Sequence, residues 1–243
     1  MRIRRAWIAA LWFLSVPLAA QAPSVVTMDE EPHRHLALKN DVVKVFEIDL
    51  APRDGIPLYR DDYDEVSIVV GGASTVSTTP GQTDILTISK LGDVSFARGG
   101  MVNSVRNIGK TTYRSVSIDL LRPQTGARNL CGKQIPDLKP DCPAAPTTGA
   151  GAPRVDEPQF ETDQMLLTLT RIRPRQHATF GVPNHDELII AVDEAAIAPA
   201  RGKKPSQTLA PGSSVWIARG GAGQVLSNNG NQDVRVVTLA FKP

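Results

Sequence analysis

The second half of this 243-residue chain repeats landmarks of the first half in order. Asp64-Glu65-Val66 recurs 122 residues later as Asp186-Glu187-Leu188, and Pro52-Arg53 recurs as Pro174-Arg175 at the same spacing. Ala97-Arg98-Gly99-Gly100 returns 121 residues on as Ala218-Arg219-Gly220-Gly221, and Asn107 with Gly109 returns as Asn228 with Gly230. Collinear matches with a single one-residue slip mark a duplication rather than chance likeness. Such a chain folds as two copies of one unit, here about 36–123 and 160–243, each roughly 85 residues long.

Each unit reads as strands. Val116, Ile118 and Leu120 alternate with Ser115, Ser117 and Asp119, the period of a half-buried strand, and the copy repeats it with Val237, Leu239 and Phe241. The apolar runs Val66–Val70 and Leu188–Val192 are short and bounded by turn residues, and no long stripe of period 3.6 occurs. Many short strands with Gly-rich turns predict an all-β sandwich or barrel in each half. Between them, 124–159 holds Pro136, Pro140, Pro143, Pro146, Pro153 and Pro158 and a Thr-Thr-Gly-Ala-Gly stretch, and reads as an irregular linker.

Arg2, Arg4 and Arg5 precede an apolar stretch from Ala6 to about Ala20 that is too short and too interrupted by Pro17 to span a membrane. Residues 1–22 are therefore expected to be a secretory signal peptide, placing the mature chain in the periplasm or outside a bacterial cell, with no membrane span after cleavage. The formal charge of +2 includes those three arginines, so the mature chain carries −1 and lacks the basic footprint of a nucleic-acid-binding protein. Cys131 and Cys142 are the only cysteines, and an oxidising compartment predicts a disulfide between them.

The landmarks resemble the two conserved blocks of the cupin superfamily, and the duplication resembles a bicupin. The first block commonly runs His-x-His, three or four residues, Glu, six residues, Gly; here Tyr59-Arg60-Asp61 is followed at that spacing by Glu65 and Gly72. The second commonly runs Gly, five residues, Pro-x-Gly, two residues, His, three residues, Asn; here it reads Gly92, Arg98-Gly99-Gly100, Asn103 and Asn107. The resemblance implies two tandem jelly-roll barrels joined by the Pro/Gly-rich linker.

The same comparison bears on chemistry. The positions that hold a divalent metal in cupins are Tyr59, Asp61, Glu65 and Asn103 in the first half and Gly181, Pro183, Glu187 and Gln224 in the second, none of them a histidine. Without imidazole, a transition metal and any other cofactor are not expected, and a first-half ion would be a hard one on oxygen. Asp61, Asp62, Asp64 and Glu65 form an acidic cluster that reads either as a surface turn or as an acid and base pair. Arg98 and Arg219 stand where cupins have proline, and are expected to ion-pair with Glu65 and Glu187 or to grip an anionic ligand. His33 and His35 read as part of a mobile N-terminal arm, and His177 and His185 as loop residues beside Glu187.

The resulting expectation is an exported bicupin-like protein serving as a non-catalytic small-molecule-binding or structural module, with Tyr59, Asp61, Glu65, Arg98, Asn103, Glu187, Arg219 and Gln224 as ligand-binding residues. Its alternatives are a metal-independent isomerase or lyase working through Asp61, Glu65 and Tyr59, a hard-metal enzyme in the first barrel, and an oligomeric envelope component. No Walker loop, nucleophile elbow, dinucleotide fingerprint or zinc-protease helix occurs. A barrel interior that is polar and open favours a ligand; one filled with apolar side chains favours a structural role.

Overall fold

The computed structural model describes residues 25–27, 31–142, 151–181, 183–201 and 205–243; the expected signal peptide lies outside them. Among the described residues the chain is all strand and turn, with no helix. The first half contributes β1 (Val26–Thr27), β2 (Arg34–Lys39), β3 (Val43–Leu50), β4 (Gly55–Arg60), β5 (Asp64–Gly71), β6 (Ser74–Thr78), β7 (Ile85–Ile88), β8 (Val94–Ala97), β9 (Val102–Asn107) and β10 (Tyr113–Leu120). The second contributes β11 (Arg128–Asn129), β12 (Arg154–Glu161), β13 (Met165–Ile172), β14 (His177–Phe180), β15 (Asp186–Ala191), β16 (Ala195–Pro199), β17 (Gln207–Leu209), β18 (Ser214–Ile217), β19 (Gln224–Ser227) and β20 (Val234–Phe241).

Each half is a pair of sheets. The orders are β1-β4-β9-β6-β7 with β2-β3-β10-β5-β8, and β14-β19-β16-β17 with β11-β12-β13-β20-β15-β18. No described strand leaves its own half. The units start earlier than the repeats suggest: β2 begins at Arg34, and β12 at Arg154 reaches back into the segment read as linker. There β11 pairs with β12, and Cys131 is bonded to Cys142.

The landmarks are structural. Asn107 Nδ2 donates to the carbonyls of Leu50 (2.9 Å) and Thr111 (2.8 Å) while its Oδ1 accepts from Gly109 N (2.9 Å). Asn228 repeats the arrangement with Ile172, Gln232 and Gly230. Arg53 and Arg175, the second residues of the recurring Pro-Arg pairs, both turn the chain at positive φ (75° and 60°). A side chain at Gly72 would place its Cβ 2.4 Å from the Ser89 carbonyl, which explains the first-block glycine.

The alternation of β10 has a sense that the sequence alone does not reveal. Its apolar face, Val116, Ile118 and Leu120, packs with Val237, Leu239 and Phe241 of β20 in one buried cluster shared by the two halves. Phe96 meets Phe160 across this junction with ring centroids 5.3 Å apart. Ser115, Ser117 and Asp119 are buried too, but they point into the first barrel rather than to solvent.

Candidate functional site

The interiors of the two barrels differ. Inside the first, Glu65 and Asp119 lie directly opposite one another on β5 and β10, a like-charge pair that costs stability unless a cation separates them. Arg34 of β2 is that cation. One guanidinium nitrogen donates to Ser117 Oγ (2.7 Å), to Glu65 Oε2 (3.3 Å) and to an Asp119 carboxylate oxygen, while Ser117 Oγ donates to Glu65 (2.6 Å). The Arg34 side chain is 1% exposed and lies over the Phe46 ring, 3.9 Å from its centroid. Its Nε is the one buried side-chain nitrogen or oxygen among the described residues without a partner.

Tyr59, Asp61 and Asn103 complete this end of the barrel. Tyr59 and Asn103 are register partners across β4 and β9, and Asn103 Oδ1 accepts from Thr79 Oγ1 (2.5 Å). Asp61 is buried, and burial together with the nearby Glu65 charge pushes its carboxyl up to about 8, against the opposing pull of Arg34. Burial likewise raises Glu65 and the Tyr59 phenol. The structure thus brings together Tyr59, Asp61, Glu65 and Asn103, four of the residues singled out from sequence.

Other expectations are corrected. Arg98 does not reach Glu65; it pairs with Asp64 (3.0 Å), whose other oxygen accepts Gly99 N (2.9 Å). The Asp of each recurring Asp-Glu pair therefore ties a loop while the Glu faces inward. Arg219 does not meet Glu187: its backbone N–H donates to Asp186 (2.8 Å), and Glu187 accepts instead from Gly181 N (2.7 Å). Gln224 is paired in register between Phe180 and Pro199 at the start of β19, away from the first-half group. The segment around His33 is no free arm, because β2 lies in the sheet and His33 bridges Glu31 (2.8 Å) and Asp54 (2.9 Å). His35 and His177 are exposed on their strands.

The metal that the cupin resemblance implies does not fit this donor set. A guanidinium already occupies the space between the two buried carboxylates, satisfies them by charge-assisted hydrogen bonds and would repel a second cation. Among the described residues no group of three or more His, Cys, Asp or Glu is arranged to hold a metal ion.

Beyond the Arg34 group, the same barrel holds a solvent-open cleft of about 640 Å³. Ser67, Thr75, Ser77, Thr87, Ser95 and Tyr113 supply its hydroxyls, Val69 and Val105 its apolar wall. It is bounded by the edge strands β7 and β8, and residues from beyond the first barrel, Lys133, Gln134, Gln159 and Leu169, complete its lining. Gln134 is held by a hydrogen bond from its Nε2 to Gln159 (2.9 Å) and by its carbonyl accepting from Phe96 N (3.2 Å). None of Tyr59, Asp61, Glu65 and Asn103 lines this cleft.

The duplication supplies an internal control. By strand register, Ser67 opposite Ser95 becomes Ile189 opposite Val215; Ser77 opposite Val105 becomes Ile197 opposite Leu226; Tyr113 opposite Leu50 becomes Val234 opposite Ile172. Ser115 becomes Val236 in the same way. The second barrel is filled by these aliphatics with Phe180 and Ile217. The first keeps hydroxyls and open space at the same places.

No family model and no curated protein matches this sequence. Solved structures do share the fold. A putative glyoxylate-induced protein from Pseudomonas aeruginosa superposes on 86% of this chain and 79% of its own with a TM-score of 0.59 and 14% identity. AerE from Microcystis aeruginosa matches 88% of this chain and 99% of its own (TM-score 0.56, 10% identity). Salicylate 1,2-dioxygenase from Pseudaminobacter salicylatoxidans, also solved with gentisate, matches 86% and 76% (TM-score 0.56, 11% identity). The fold is the cupin jelly roll in its two-barrel, bicupin form. Identities this low establish the architecture alone.

Proposed function

We propose that this is an exported bicupin-like binding protein that takes a small, uncharged polyhydroxyl compound, a monosaccharide or polyol, in its first barrel without a transition metal. One observation carries the reading: the two copies share a fold, yet only the first leaves its interior hydroxyl-lined and unfilled. Such an interior is costly for folding alone, because unfilled space forfeits packing and apolar burial, and the second copy shows that aliphatic side chains fit the same frame. The lining suits neutral polar ligands. Hydroxyls and the amides of Gln134 and Gln159 donate and accept, and the two charged residues at the cleft, Lys133 and Asp93, are of opposite sign.

Calorimetric titration of the mature chain with a panel of monosaccharides and polyols tests this. Saturable one-site binding that persists in EDTA is expected; no heat with any of them, or binding only after metal is added, contradicts it.

A second reading is favoured by Asp61. A carboxyl held near 8 keeps its proton at neutral pH beside the Tyr59 phenol, as a general acid requires, so the Arg34 end of the barrel, apart from the hydroxyl-lined cleft, supports a metal-independent isomerase or lyase as well. Turnover of a sugar, abolished by Asp61→Asn while binding in the cleft is retained, selects this reading; no turnover by the unsubstituted chain excludes it.

A further inference from the structure

At the junction of the two halves lies a second pocket, of about 190 Å³, unrelated to the first-barrel cleft. Arg122, just past the end of β10, enters it from the first half; His185, Asp186, Arg219, Phe241 and Lys242 enter from the second. Arg122, Arg219, Lys242 and an imidazole thus line the pocket with the Asp186 carboxylate and Pro243, the last residue of the sequence. That carboxylate is partly spent, since Asp186 Oδ1 accepts the Arg219 backbone N–H (2.8 Å). Lys242 is anchored to the Thr162 carbonyl (2.6 Å) and its charge is paired with Glu161 (3.8 Å), which leaves the two arginines as the uncompensated cations. The Arg122 and Arg219 guanidinium groups have no hydrogen-bond or ion-pair partner among the described residues.

The duplication again shows what is unusual. In the first half the matching arginine, Arg98, is paired with Asp64 (3.0 Å) and lies 5.0 Å over the Phe96 ring, so its charge is consumed within the fold. The hollow next to it is lined by Asp62, Tyr63 and Asp64 and has no cation. In the second half the one-residue slip between the copies moves the aspartate's hydrogen bond from the residue after the arginine to the arginine itself, Gly99 N in one case and Arg219 N in the other. The side chain of Arg219 is thereby released into the pocket, next to His185, which stands where the first copy has Tyr63.

We propose that this pocket is an anion-binding site that takes a small oxyanion, a phosphate or a carboxylate group, between Arg122 and Arg219. A guanidinium presents paired N–H donors matched to two oxygens of such a group, and two of them enclose it more tightly than point charges would. His185 offers a further ring N–H. Because Arg122 comes from one half and Arg219 from the other, a bound anion would bridge the two barrels.

The experiment is calorimetric titration of the mature full chain with inorganic phosphate and, separately, with succinate, at constant ionic strength. Saturable binding of either anion is expected, weakened about tenfold or more by Arg122→Gln and again by Arg219→Gln, with Arg219→Lys intermediate because it keeps charge but loses the fork. Both arginines are exposed, so unchanged thermal midpoints in the absence of anion will show that the variants fold. Preference for phosphate over succinate, or the reverse, identifies the oxyanion. No saturable heat with either anion, or equal affinity in the Arg122→Gln/Arg219→Gln double variant, overturns the proposal. Sugar binding in the first barrel should be the same in all these variants, so failure at one site is separable from failure at the other.

Discussion

Asn107 and Asn228 show how much a single side chain carries in this fold. Each satisfies two buried carbonyls and one backbone N–H at the turn before the last long strand of its half. Asn107→Ala and Asn228→Ala should each cost about 2–3 kcal/mol in denaturant unfolding, since buried backbone groups are left without partners. Asp61 yields a prediction of opposite sense. Its carboxyl ionises near 8 in the folded chain and near 4 in the unfolded one, so its contribution to stability is fully present below about pH 4 and is lost as pH rises through 8. Asp61→Asn removes that dependence: its thermal midpoint relative to the unsubstituted chain should climb between about pH 4 and pH 8 and then level off, whereas a constant difference would contradict the buried carboxyl. Glu65, Asp61, Tyr59 and Asn103 were legible in the sequence because block spacing survives the loss of the ligands themselves. Arg34 was not: its partners Glu65, Ser117 and Asp119 stand 31, 83 and 85 positions away, and no local pattern reports such a meeting.

Among the elements, β10 best shows where periodicity stops informing. Alternation in Val116, Ile118 and Leu120 identifies a strand and an apolar face, but cannot say that this face is turned to the other half or that Ser115, Ser117 and Asp119 line an interior. The segment between the repeats carries Pro and Gly enough to read as irregular, yet Arg154–Glu161 forms β12, because its register with β13 matters more than its composition. The Cys131–Cys142 loop holds Lys133 and Gln134 against the first-barrel cleft. Replacing both cysteines by serine should lower stability by about 3 kcal/mol and weaken ligand binding several-fold through the loosened wall. Loss of stability with unchanged affinity would show that the loop takes no part in the cleft.

Taken as a whole molecule, the chain is two barrels around a common apolar junction, and this predicts cooperative unfolding. The tyrosines, Tyr59, Tyr63 and Tyr113, all lie in the first half, while Trp216 is the sole tryptophan beyond the expected leader, so the two chromophores report separately on the halves. Tyrosine and tryptophan signals should give coincident denaturant transitions, both displaced by Phe160→Ala at a cost of about 3–5 kcal/mol. Two resolved transitions would mean that the junction does not couple the barrels.

If the first barrel is left unfilled in order to hold a ligand, filling it must abolish binding. Giving it the second barrel's residues, Ser67→Ile with Ser77→Ile, tests this most directly, with thermal midpoint and sugar titration read on the same protein. Stability should be kept or raised as aliphatic side chains occupy the cleft, and binding should be lost. A folded double variant that binds the sugar as tightly as the unsubstituted chain would contradict this.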